Sequence, residues 1–69
     1  MAFIYVGNID LRSTEATVRS VLEMYGAVAN VSLMPGFAVV EVKDEQQAQD
    51  AISALSEKGS WVLRTIGAA

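Results

Sequence analysis

From the N-terminus, the hydrophobic run FIYVGNI (residues 3–9) alternates well enough for a strand, with branched aliphatic Ile4 and Val6 on one side of an extended chain and aromatic Phe3 and Tyr5 on the other. NIDLRS then has turn and capping character, and Ser13 or Thr14 is placed to cap a helix whose positive end suits Glu15. In TEATVRSVLEMYG, Val18, Val21, Leu22 and Tyr25 recur at helical spacing, and Gly26 is a natural stop. Two β-prone runs follow, VANVSLM (28–34) and FAVVEV (37–42), separated by Pro35-Gly36. A hairpin is the reading. Because Pro-Gly favours a turn type that two-residue hairpins avoid, a longer loop beginning near Met34 is expected. Asp44 with Gln47 three residues on forms a capping-box pattern. Ala48, Ala51, Ile52 and Leu55 then mark a narrow, alanine-rich helix face that ends at Gly59, and SWVLRTI (60–66) reads as a last strand.

The order β-α-β-β-α-β predicts an α+β fold, the ferredoxin-like split βαβ sandwich. Right-handed crossovers place both helices on one face of a four-stranded antiparallel sheet and leave the other face open. No repeat, linker or low-complexity stretch interrupts residues 1–69, so a single domain is expected, ordered from about residue 3 to residue 66, with Gly67-Ala68-Ala69 loose.

Composition narrows the chemistry. At 69 residues, with 52% apolar and 19% charged residues, the chain is globular and close to the lower size limit for folding alone. It has no cysteine for a disulfide or thiolate metal site and no histidine, the commonest general base and zinc ligand. It also lacks a glycine-rich phosphate loop before a helix and a carboxylate pair suited to acid–base work. A non-enzymatic role without cofactor, metal or small-molecule substrate is therefore expected. No segment approaches a membrane span and no signal-peptide layout is visible, so cytoplasmic residence with no membrane association is the default. The net charge is −3 and the pI about 4.6, with Arg12, Arg19, Lys43, Lys58 and Arg64 scattered. That counts against affinity supplied by phosphate contacts.

IYVGNI resembles the shorter ribonucleoprotein motif of the RNA recognition motif (RRM) family: aliphatic, aromatic, aliphatic, any residue, Asn, aliphatic. PGFAVVEV (35–42) stands where that family has its longer motif, K/R-G-F/Y-G/A-F-V-x-F/Y. Gly36, Phe37, Ala38 and Val40 match it. Pro35 replaces the basic residue, Val39 the central aromatic and Val42 the closing one. The resemblance covers Phe3 to Ile66 and implies that the strands bearing Tyr5 and Phe37 are central neighbours.

If Ile4 and Val6 face the helices, Tyr5 points outward; if Ala38, Val40 and Val42 do, then Phe37, Val39 and Glu41 point outward. The resemblance then implies a surface of Tyr5, Phe37 and Val39 on which unstacked RNA bases settle. Asn8 offers a donor and an acceptor to a base edge or, equally, holds the following turn. Arg64, if outward, reaches a phosphate or a base face, unless it is an ordinary solvated side chain. Lys43 is the other nearby cation. Trp61, of opposite parity to Arg64, is read as packing. The expected function is weak binding of single-stranded RNA, driven mainly by stacking. The alternative is a protein-interaction module of the same fold that docks a peptide or self-associates, favoured by the acidic charge and the aliphatic Val39.

Overall fold

The computed structural model describes residues 1–59 and 61–66. Six elements follow in the expected order: β1 Ala2–Gly7, α1 Glu15–Glu23, β2 Val28–Met34, β3 Phe37–Val42, α2 Glu45–Ser56 and β4 Val62–Ile66. The strands form one antiparallel sheet in the order β2-β3-β1-β4, so β1 and β3 are its central pair. Ser60, at the start of the expected last strand, and the Gly67-Ala68-Ala69 tail lie outside the described residues.

Alternation along the strands builds the core. Ile4 and Val6 of β1, Val31 of β2 and Ala38, Val40 and Val42 of β3 all face the helices and are buried. They pack with Val18 and Leu22 of α1 and with Ala48, Ala51 and Leu55 of α2. Each large aliphatic side chain so buried contributes about 1.5–3 kcal/mol. The alanines keep α2 close to the sheet. Leu63 of β4 packs against this cluster, as does Trp61 just before the strand, which agrees with its reading as a packing residue.

The helix starts follow the capping rules. Thr14 rather than Ser13 caps α1, its hydroxyl accepting from the Thr17 N–H, and Asp44 caps α2 by accepting from the Gln47 N–H at 2.9 Å. The expected capping box forms only in this half. The Gln47 side chain does not close back on Asp44; its Nε2 donates to the Ala27 carbonyl at 2.7 Å, across the α1–β2 junction. α1 ends at Glu23, two residues before Tyr25, which packs half-buried against the core from the turn.

Further boundaries differ from expectation, and β4 starts at Val62, with Trp61 just outside it. β1 ends at Gly7 rather than at residue 9, because Asn8 adopts a left-handed conformation (φ 59°) that turns the chain out of the strand. Ile9 is nevertheless buried, and its N–H donates to the Gly36 carbonyl at 3.0 Å. The hairpin loop is also shorter than expected: Met34 pairs directly with Phe37, leaving Pro35-Gly36 as the whole turn. Gly36 takes φ +85°, which a side chain rarely adopts, so the Pro-Gly geometry is accommodated within two residues. A register irregularity lies farther along β2, between Val28 and Asn30.

Candidate nucleic-acid interface

The face of the sheet away from the helices is built in three cross-strand rows. The register places Ser32, Val39, Tyr5 and Arg64 side by side in the middle row. Above it, toward the hairpin turn, lie Met34, Phe37, Gly7 and Val62; below it lie Asn30, Glu41, Phe3 and Ile66.

Tyr5 and Phe37 form the centre. Their rings are stacked, with centroids 5.8 Å apart and planes inclined by 24°. The contact is diagonal, because Phe37 pairs across the strands with Gly7, not with Tyr5. Tyr5 reaches it by lying along its own strand over Gly7, where a Cβ would stand 2.8 Å from Tyr5 Cε2 and 3.0 Å from its hydroxyl. The backbone of residue 7 is thus the floor beneath the ring, a close approach that only glycine leaves open. From β4, the Arg64 guanidinium carbon lies over the Tyr5 ring, 4.8 Å from its centroid, a cation–π contact that orders the cation on the ring.

Four of the residues expected from the sequence therefore meet: Tyr5, Phe37, Val39 and Arg64. Asn8 is exposed one residue beyond Gly7, at the same end of the face as Phe37, and its left-handed backbone makes it a turn-former. Lys43 is exposed past the end of β3, six residues along from Phe37, hence about 20 Å away at the far end of the face. Of the remaining cations, Arg19 donates to the Val28 carbonyl at 3.0 Å and ties α1 to β2, while Lys58 lies beside Val21, Leu55 and Trp61 on the helix side. Positive charge on the sheet face is sparse.

Sequence reasoning placed Phe3 outward without assigning it a role, and did not single out Gly7. Phe3 is 38% exposed and Phe37 36%, so the two rings are equally open to solvent. The signal for Phe3 was its spacing of two from Tyr5. The signal for Gly7 was a glycine at the end of an otherwise apolar strand. Among the described residues no group of acidic, His or Cys side chains is arranged to hold a metal ion, and no helix is long and apolar enough to cross a membrane.

A four-stranded antiparallel sheet, backed by two helices and bearing aromatics on its two central strands, defines a class of small sheet-surface binding domain. The profile of the RNA recognition motif family matches residues 4–60. The chain belongs to that family. It is 42% identical over 64 residues to the serine/arginine-rich splicing factor RSZ21 of Arabidopsis thaliana, a match covering 88% of this chain and 34% of that protein. It thus spans about a third of that relative's length. It is also 38% identical over 71 residues to the putative RNA-binding protein RbpD of Nostoc sp., covering 91% of this chain and 74% of the relative. Among solved structures it resembles the RNA binding protein PG1, with a TM-score of 0.89 at 28% identity, covering 96% of this chain and 94% of that one.

Proposed function

We propose that this chain binds single-stranded RNA on its open sheet face, with bases stacking on Tyr5 and Phe37. The observation that carries the reading is the stacked Tyr5–Phe37 pair on the central strands, with Arg64 held against the Tyr5 ring. Every base has a π-face, and stacking on an aromatic is worth roughly 1–3 kcal/mol per base. Arg64 adds charge where a backbone phosphate passes. Family membership and relatives named as splicing and RNA-binding proteins support the same reading.

The binding is weak. With a net charge of −3 and few cations on the face, affinity for short RNAs is micromolar or weaker, on the order of −8 kcal/mol at most, with a shallow salt dependence. Fluorescence anisotropy with a short labelled RNA tests this. Tyr5→Ala and Phe37→Ala are each expected to weaken binding about fivefold or more, while raising salt weakens the wild type only modestly. Unchanged affinity in both variants, or nanomolar affinity with a steep salt slope, removes the stacking account.

A further inference from the structure

The row below the Tyr5–Phe37 pair carries a second aromatic of its own. Phe3 lies two residues from Tyr5 on the same face, about 7 Å along the strand, and is as exposed as Phe37. Its cross-strand partners are Glu41 on β3 and Ile66 on β4. Val39, which lacks a ring, is diagonal to Phe3, so the sheet offers its third aromatic on β1 and one row lower.

Glu41 is the one acidic side chain among the described outward strand positions. It has no ion pair or side-chain hydrogen bond among the described residues. Facing a phosphate, such a carboxylate repels. Facing the edge of a base stacked on Phe3, it selects, because an ionised carboxylate only accepts hydrogen bonds. Directly opposite strand positions have Cβ atoms about 4.5–5.5 Å apart, so a base on the Phe3 ring brings its edge over Glu41. Guanine presents two adjacent donors on its Watson–Crick edge, N1–H and the N2 amino group, which match the two carboxylate oxygens. Adenine and cytosine offer one donor next to an acceptor, and uracil one donor between two acceptors.

Resting on the RNA-binding reading above, we infer that Phe3 and Glu41 form a separate subsite that takes guanine, Phe3 stacking the base and Glu41 accepting from its N1–H and N2 amino group. The charge that argues against phosphate affinity thereby becomes the source of base preference.

The test uses the full chain and four uridine hexamers: all-uridine, and three with a single guanosine, adenosine or inosine. Adenosine controls for purine stacking, and inosine lacks only the N2 amino group of guanosine. The guanosine RNA is expected to bind about five- to tenfold more tightly than the adenosine RNA, and inosine to lose most of that gain. Glu41→Gln, which replaces one acceptor by a donor at a half-buried outward strand position, brings guanosine and adenosine to within about twofold. Phe3→Ala weakens the guanosine RNA more than the all-uridine RNA, which loses only the stacking that any base makes on that ring. Equal binding of guanosine and adenosine RNAs, or a preference that survives Glu41→Gln, overturns the subsite. If Tyr5→Ala still weakens every RNA in that case, the RNA-binding reading stands without it. Failure of all four RNAs to bind overturns both.

Discussion

Tyr5 occupies its place because residue 7 has no side chain. The ring lies over residue 7, 2.8 Å from where a Cβ there would stand, meets Phe37 on the far side and carries the Arg64 guanidinium over it. Val39 stands directly across from Tyr5 in the same row, between that ring and Ser32, at the position where the family pattern carries its central aromatic. Val39→Phe therefore adds a ring next to an existing platform. Outward strand positions accept aromatics readily, and one further stacked base adds roughly 1 kcal/mol, so RNA binding should tighten several-fold with the fold intact. Anisotropy titrations of both proteins against one short RNA check this; a folded variant with unchanged affinity speaks against the face as a base platform. The outward direction of Tyr5, Phe37 and Val39 was legible in the sequence because strand parity sets them opposite Ile4, Val6, Ala38 and Val40, and the family resemblance indicates which face is open. The diagonal Tyr5–Phe37 contact was not, since it depends on which way a side chain leans.

At the scale of elements, the joint between α1 and β2 rests on a residue of α2. Gln47 is 9% exposed and spans 20 positions of sequence to donate to the Ala27 carbonyl. Its amide lies against Gly26, whose φ of +139° belongs to glycine and whose Cβ, if present, would stand 2.7 Å from Gln47 Cδ. Removing the side chain takes away a part-buried hydrogen bond and leaves space under the turn. Gln47→Ala is therefore expected to cost about 1–3 kcal/mol in urea denaturation, while RNA affinity stays near wild type because the joint lies on the helix side. A loss below about 0.5 kcal/mol would mean that water replaces the bond without penalty. Such a joint is hidden from sequence reasoning: the Asp44–Gln47 spacing has a local explanation, the capping box, and the long-range bond competes with it. The order of strands and helices was legible because it rests on local signals: the alternation of β1, the period of α1 and α2, and the caps at Thr14 and Asp44. The hairpin turn was less so. Pro-Gly disfavours a two-residue loop taken in isolation, and the pairing of β2 with β3 on both sides overrides that preference.

For the whole molecule, charge and shape divide the work between the two sides of the sheet. The helix side takes nearly all the buried aliphatic residues, leaving a body 29 × 23 × 23 Å across with one broad uncovered face. With a net charge of −3, long-range attraction contributes little to RNA encounter, so the proposed binding rests on contact with bases on that face. The amide chemical-shift titration of the labelled protein with short single-stranded RNA tests this most directly. Shifts are expected to concentrate on β1 and β3 around Tyr5, Val39 and Phe37 and to extend to Arg64 on β4, with the amides of α1 and α2 nearly still. Shifts centred on the helices, or none at millimolar RNA, would contradict the account.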